Sequence, residues 1–167
     1  MLFRSTPADG PLLINARAET VAEKAAFRVK VAGTWIEHTY RELWKDSDGI
    51  AAGLIEWGIE PGDRCAIIAA SSPAWVKAYL GILKAGGVAV PIDKELKQRE
   101  LKHILSDCTA RVPFIEHVFL EKVIDILADL KDLEKIVSFN SPVNSGEMPP
   151  RLEAALKLLD DTIVDTI

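Results

Sequence analysis

The residue types that most often carry catalysis are present in this sequence, but their spacing does not form a catalytic set. The three histidines, His38, His103 and His117, are far apart and lack the spacing of metal ligands. Ser71 and Ser72 lack the Gly-x-Ser-x-Gly turn of a nucleophilic serine, and a serine before a proline is typical of a helix N-cap. We therefore predict no catalytic residue and no metal ligand in this chain.

Motifs that bind phosphate groups are also absent from the sequence. Neither Gly-x-x-x-x-Gly-Lys-Ser/Thr nor a Gly-x-Gly-x-x-Gly turn after a strand occurs. Gly86 and Gly87 follow an apolar helical pattern, so we interpret them as a helix cap with a tight turn. Asp160 and Asp161 could attract a cation, but the sequence around them does not predict a tight loop of oxygen ligands.

The composition indicates one globular domain and argues against several functional classes. With 167 residues, of which 49% are apolar, the chain can bury a sizeable core. A net charge of −5 argues against nucleic acid as a partner. The sequence has no signal peptide and no apolar run that could span a bilayer. Cys65 and Cys108 are typical of core thiols rather than of a disulfide or a metal pair, and together these features predict a reducing, cytoplasmic setting.

The central part of the chain predicts a helix, a strand, a helix and a strand in succession. Thr39 followed by Glu42 is a capping box, and apolar residues then recur with helical spacing until Gly58. The nearly continuous apolar run at residues 64–70 is typical of a strand buried on both faces. A second helix begins after Ser72, and the next strand is predicted at residues 88–91.

Trp44 and Trp57 are predicted to flank the apolar stripe of the first of these helices. They are thirteen residues apart, so they project from related faces. We expect them to pack against the core or its rim. Contact with a partner is the alternative.

Further elements are predicted on both sides of the central part. They are a short helix near residues 18–24, hairpin strands at 26–31 and 34–38, a helix at 101–108, a strand at 111–115, a helix at 119–130, a strand at 136–139 and a helix at 152–159. Pro113 indicates an edge strand or a short ladder. The alternation predicts an α/β fold, with a mostly parallel sheet flanked by helices on both faces and an opening β-hairpin.

We divide the chain into two parts. Residues 1–140 form the α/β subdomain, and residues 141–167 form a loop, a short helix and a tail that leads to an absent remainder. The composition of the loop, with its prolines and asparagines, supports this boundary. Residues 160–167 have no predicted partner.

Six short segments are informative in combination. They are TYREL at 39–43, IAAGL at 50–54, GIEPGDR at 58–64, SPAW at 72–75, GILKAGGVAVP at 81–91 and ELKHIL at 100–105. In this order and at this spacing they resemble the N-terminal region of the adenylate-forming (AMP-binding) enzymes, from about residue 39 to residue 140. The best resemblance is to fatty-acyl and related acyl-CoA ligases, and it implies the N-terminal subdomain of the acyl-CoA synthetase fold.

The resemblance implies a two-step reaction for a full-length enzyme. A carboxylate attacks the α-phosphate of ATP in the presence of Mg²⁺, giving an acyl-adenylate and pyrophosphate, and the thiol of CoA then displaces AMP. The family's phosphate loop, ribose aspartate, Mg²⁺ ligand and catalytic lysine would all follow residue 167. We therefore expect an N-terminal fragment of an ATP-dependent acyl-CoA ligase of fatty acid metabolism, without a cofactor of its own and inactive by itself.

The resemblance also implies where CoA would contact this chain. In some CoA ligases a basic residue in the loop after the strand at 88–91 contacts the CoA nucleotide, and Lys94, Lys97 and Arg99 could do so here. The alternative is a solvated helix start, since Glu95 reduces the positive charge of the loop.

Two hypotheses about binding partners follow. In the first, this chain contacts the remainder of the synthetase, in the same chain or in a separate chain, and does not bind nucleic acid. The second, in a different functional class, is a stand-alone binding or assembly module that dimerises or pairs with a separate catalytic chain. Peripheral membrane contact is left open by the sequence.

Overall fold

The computed structural model describes residues 15–16, 18–139 and 164–166. It divides the chain into two compact units. The first unit comprises Met1–Asp63 and Ser71–Val88, and the second comprises Arg64–Ala70 and Ala89–Ile167.

The first unit opens with the predicted hairpin. Strands β1 (Ala25–Val31) and β2 (Thr34–Thr39) pair antiparallel. Ala32 and Gly33 between them have φ values of 48° and 87°, the left-handed conformation that a two-residue hairpin turn requires. Before the hairpin, residues 18–20 are helical and the chain turns at residues 21–24, so this helix ends earlier than predicted.

Two helices follow in the first unit, and both begin at the predicted caps. Helix α1 (Tyr40–Glu56) starts with the capping box, in which Thr39 Oγ1 accepts from the Glu42 amide at 3.2 Å and Glu42 Oε2 accepts from the Thr39 amide at 2.8 Å. Helix α2 (Pro73–Lys84) starts where Ser72 Oγ accepts from the Trp75 amide at 3.2 Å.

The buried stripes of these helices differ in part from the prediction. The buried residues of α1 are Leu43, Ser47, Ala51 and Leu54. The apolar pattern that predicted this helix also includes Ile55, but Ile55 is 58% exposed because it lies one position beyond the stripe. In α2 the buried residues are Ala78, Leu80, Gly81 and Ile82. Trp75 and Tyr79 are half-buried and stack on each other, and Gly86 is exposed.

A five-stranded sheet organises the second unit. Its strands are β3 (Arg64–Ile68), β4 (Val88–Ile92), β5 (Phe114–Glu116), β6 (Ile136–Phe139) and β7 (Val164–Thr166). They lie in the order β4-β3-β5-β6-β7, and β3–β5, β5–β6 and β6–β7 are parallel pairs. β5 lies inside the sheet and has three residues, so the edge position suggested by Pro113 is wrong and the short ladder is confirmed.

The central strands β3, β5 and β6 are buried on both faces along most of their length. On one face, sheet residues such as Ile68, Ile115 and Ile136 pack with Leu101 of helix α3 (Gln98–Asp107) and Val123 of helix α4 (Leu120–Ile124). The intervening sheet residues, which include Cys65, Ile67 and Phe114, are equally inaccessible to solvent. The predicted fold class, α/β with a mostly parallel sheet flanked by helices and an opening hairpin, is confirmed.

Two parts of the C-terminal region differ from the prediction. The single helix expected at residues 119–130 is instead α4 between two 3₁₀ turns, His117–Phe119 and Leu127–Asp129. The tail, which we expected to have no partner, contributes β7 beside β6. The predicted helix at residues 152–159 and the acidic pair at residues 160 and 161 lie outside the described residues, and the predicted boundary after residue 140 stays a prediction.

The two cysteines are free thiols, as predicted. Cys65 is fully buried in β3, and Cys108 is half-buried at the end of α3, where burial raises the pKa of its thiol. Among the described residues, no helix has both the length and the apolar character needed to cross a membrane.

Candidate functional site

The loop after β4 positions the three basic residues that the sequence singled out. Asp93 organises this loop, because its Oδ1 accepts from the Glu95 amide at 2.9 Å and its carbonyl accepts from the Leu96 amide at 3.2 Å. Helix α3 then starts where Glu100 Oε2 accepts from the Lys97 amide at 2.9 Å. Lys94 therefore lies in the loop, Lys97 caps the helix, and Arg99 follows in its first turn.

Lys97 and Arg99 line one open groove of about 750 Å³. The other described residues that line it are Leu96, Glu100, His103 and Ile104. An ammonium group and a guanidinium group beside apolar side chains suit a ligand that carries phosphates and a planar apolar body. His103 is exposed in this groove.

Lys94 is held away from this groove and is not among the described residues that line it. Its ammonium group forms an ion pair with the carboxylate of Glu95 and lies 5.7 Å from the centroid of the Phe119 ring. The hydrogen bond to Glu95 raises the pKa of Lys94, and the nearby carboxylate of Glu116 adds to this rise. The structure thus brings two of the three predicted residues together and gives the third a local carboxylate partner.

Lys122 is a component of the site that the sequence analysis missed. Its ammonium group donates to the Lys94 carbonyl at 2.9 Å and lies 5.4 Å from the centroid of Phe119. Lys122 therefore fixes the loop after β4 against α4. Because it follows Lys94 by 28 positions, only the arrangement of the strands and helices brings the two together.

Glu116 is a second residue that the sequence analysis missed. Its Oε2 accepts from the Ala70 amide at 2.8 Å, so it joins the chain just after β3 to the end of β5. In doubly wound sheets the crevice beside such strand ends is the usual ligand position. Here the Ala70 N–H is already bound by the Glu116 carboxylate.

The remaining histidines have structural surroundings. His38 stacks on Phe27 with ring centroids 5.1 Å apart, and His117 belongs to the 3₁₀ turn after β5. Within the described part of the chain, no group of three or more His, Cys, Asp or Glu side chains could hold a metal ion.

These features define an α/β subdomain whose described residues form a basic groove at the start of a helix. Comparison with known families is more specific. The chain matches the AMP-binding enzyme family over residues 14–161, and it therefore belongs to that family.

Individual relatives are consistent with this assignment. The chain is 38% identical over 101 residues to tyrocidine synthase 3 of Brevibacillus parabrevis, a match that covers 59% of this chain and 2% of that protein. It is 37% identical over 81 residues to the fatty acid–[acyl-carrier-protein] ligase ScoC of Streptomyces coeruleorubidus, which covers 48% of this chain and 16% of the relative.

Solved structures share the fold. The crystal structure of the anthranilate CoA ligase AuaEII, in complex with anthranoyl-AMP, superposes with a TM-score of 0.74 at 24% identity. The match covers 99% of this chain and 30% of that chain. The present chain therefore spans about a third or less of the length of these relatives.

Proposed function

We propose that this chain forms the N-terminal part of a ligase that activates a carboxylic acid with ATP and Mg²⁺ and then transfers the acyl group to a thiol, for which CoA is our first choice. The family match over residues 14–161 carries this proposal. The fatty acid ligase among the relatives supports an acyl substrate. The proposal includes a cytoplasmic location, where the two thiols would stay reduced.

The reading frame that follows Ile167 in the source DNA tests the ligase proposal most directly. We expect it to continue into a Ser/Thr/Gly-rich loop that ends in Pro-Lys-Gly, and the longer product should catalyse acid-dependent exchange of pyrophosphate into ATP. A stop codon directly after Ile167 would contradict the proposal for this protein.

The 167-residue chain by itself should be inactive. Its sequence contains no phosphate-binding loop, and preorganised donors around the phosphates are the main source of rate in this type of reaction. We expect the purified chain to show no pyrophosphate exchange with fatty or aromatic acids. This expectation would be wrong if acid-dependent pyrophosphate exchange co-purified with the chain and disappeared in a folded variant of Trp75.

The groove beside α3 is our proposed contact for the CoA nucleotide. Lys97 and Arg99 would bind its phosphates, and the ion pair with Glu95 makes Lys94 the weakest of the three predicted contacts. Adenosine 3′,5′-bisphosphate is a suitable probe, because it carries the adenine, the 3′-phosphate and one 5′-phosphate of CoA without the thiol. Titration calorimetry should detect weak binding to the chain that is lost in Lys97→Glu and in Arg99→Glu.

The matched control for this titration is Lys45→Glu, which makes the same charge change at an exposed position of α1. It should bind the bisphosphate like the unmodified chain. Equal losses in the control and in the groove variants would indicate a non-specific charge effect and would exclude the groove as the site.

The second candidate function is an assembly module that dimerises or pairs with a separate catalytic chain. It is favoured by the exposed apolar side chains of the hairpin, where Trp35 is 63% and Val31 is 52% exposed. Analytical ultracentrifugation tests the dimer directly. A species that stays monomeric over the whole accessible concentration range would contradict dimerisation.

A further inference from the structure

The hairpin leaves its backbone edges uncovered among the described residues. It is a two-stranded sheet, and apart from its own ladder no backbone hydrogen bond joins residues 25–37 to any other described residue. Such an edge presents a row of free N–H and C=O groups that can pair with another strand. A two-stranded hairpin is also only marginally stable, whereas three or more strands with an apolar face form a stable sheet.

Exposed apolar side chains lie on the same hairpin. Trp35 is 63% exposed and Ile36 is 43% exposed, and both belong to β2. Ile36 lies opposite Val29 of β1, so these two side chains share one face of the hairpin, whereas Trp35, opposite Lys30, lies on the other face. A strand that paired with β2 would cover both the free edge and part of this apolar surface.

Charge distinguishes the two edges of the hairpin. β1 carries two basic residues, Arg28 and Lys30, so pairing β1 with a second copy of itself would bring like charges close together. β2 carries one charged residue, Glu37, whose carboxylate already binds Arg28 at 2.7 Å. Antiparallel pairing of β2 with its own copy places no two like charges opposite each other.

We propose that β2 is the interface of a homodimer, in which two copies of this chain pair antiparallel along β2. A two-fold axis beside Ile36 places this residue opposite its own copy and Trp35 opposite Glu37 of the second copy. The result is a four-stranded sheet in the order β1-β2-β2-β1, with the apolar faces of both hairpins on one side. This inference does not rest on the ligase chemistry, and it specifies the surface that the second candidate function would use.

Charge substitution at Ile36 tests the interface by sedimentation equilibrium. We expect the unmodified chain to form a dimer with a measurable dissociation constant. Ile36→Lys and Ile36→Glu each place two like charges opposite each other, so each should weaken the dimer about tenfold or more. An equimolar mixture of the two variants should restore a heterodimer, because the opposed charges are then of opposite sign, and this restoration excludes misfolding as the cause.

The control variant is Ile55→Lys, which makes the same substitution at a comparably exposed isoleucine on α1. It should dimerise like the unmodified chain. Dimerisation that is lost in Ile55→Lys but retained in Ile36→Lys would overturn the assignment to β2 and leave the assembly function in place. A chain that is monomeric at every concentration, as expected if a strand of a longer ligase covers β2, would overturn the proposed dimer.

Discussion

The ammonium group of Lys84 shows how single residues join the two helices of the first unit. Its side chain is 9% exposed, and Nζ donates to the Trp44 carbonyl at 2.8 Å and to Asp48 Oδ1 at 2.7 Å. Nζ also lies 3.2 Å from the centroid of a Trp44 ring. Trp44 therefore packs within the chain, as we predicted, and the alternative of a partner contact is not needed to explain it.

We expect Lys84→Met and Lys84→Ala to differ in stability. Methionine keeps the packed aliphatic stem of Lys84 and removes its desolvated charge. Because Asp48 is exposed, water can hydrate its carboxylate once the lysine is gone. The change in unfolding free energy should therefore stay within about 1 kcal/mol. Alanine also removes the stem and should cost about 1–3 kcal/mol. Urea titration followed by tryptophan fluorescence measures both, and an equal loss in the two variants would contradict this account.

The same residue predicts a pH dependence. Burial lowers the pKa of Lys84, so the unfolded chain holds this proton more tightly than the folded chain. As the pH rises toward the ordinary lysine value of about 10.4, the folded state therefore gains stability from this group. The stability of the unmodified chain relative to Lys84→Met should increase over this window, and a decrease would show that the attraction of Asp48 outweighs the cost of burial.

At the scale of elements, the approach of α1 to α2 depends on a glycine. A Cβ atom on Gly81 would lie 2.6 Å from the Cβ of Ile50, whereas one on Gly53 of α1 would meet nothing within 4 Å. We expect Gly81→Ala to destabilise the chain by about 1–3 kcal/mol through overpacking. Gly53→Ala is the matched control and should stabilise by about 0.5–1 kcal/mol through its helix propensity. Thermal unfolding of the two variants measures whether each substitution raises or lowers the stability of the chain. An unchanged stability of Gly81→Ala would mean that the two helices can move apart without an energetic cost.

Strand β7 is the second element with a testable role. It pairs parallel with β6, with Ile136 opposite Val164 and Ser138 opposite Thr166. Removing residues 164–167 should leave β6 as an open edge, which exchanges its amide hydrogens faster and promotes association. Hydrogen exchange resolved by residue should show this change in β6 and little change in α3. Unchanged protection of β6 would indicate that β7 does not contribute to the stability of the sheet.

These elements also show what local sequence patterns can predict. The capping box at Thr39, the cap at Ser72 and the turn at Gly33 are local signals, and each is found where it was predicted. The single helix expected at residues 119–130 was wrong because only Leu120–Ile124 is α-helical. Buried residues three positions apart, as at Leu127 and Leu130, suit a 3₁₀ turn as well as an α-helix, so the apolar pattern did not distinguish the two. β7 has no alternating pattern of its own, and its pairing depends on a distant strand.

The candidate site shows the same limit at the scale of the molecule. Lys97 and Arg99 could be predicted because they follow a strand and begin a helix within one short segment. Lys122 and Glu116 could not, because their contacts with Lys94 and Ala70 cross from one βα unit to the next. The sequence showed that Glu95 reduces the charge of this loop, but not that it forms an ion pair with Lys94, since the pairing depends on the side-chain conformations in the loop.

The distribution of charge over the whole molecule predicts which phosphate-bearing ligands it can bind. The net charge is −5, and many cations are already paired with carboxylates. These pairs are Arg28–Glu37, Arg41–Glu23, Lys77–Asp46, Lys102–Asp129 and Arg111–Glu134. A nucleic acid would have to displace these carboxylates to gain phosphate contacts, whereas a small bisphosphate needs only the two cations of the groove.

We therefore expect no retardation of duplex DNA by this chain in gel electrophoresis at about 0.15 M salt. Lowering the salt should yield at most a weak complex whose affinity falls with a slope of about −2 in log salt, since the groove presents two cations, Lys97 and Arg99. The double variant Lys97→Glu, Arg99→Glu should abolish that complex together with bisphosphate binding. A steep salt slope that survives this double variant would reveal a basic surface outside the groove and would reopen nucleic acid as a partner.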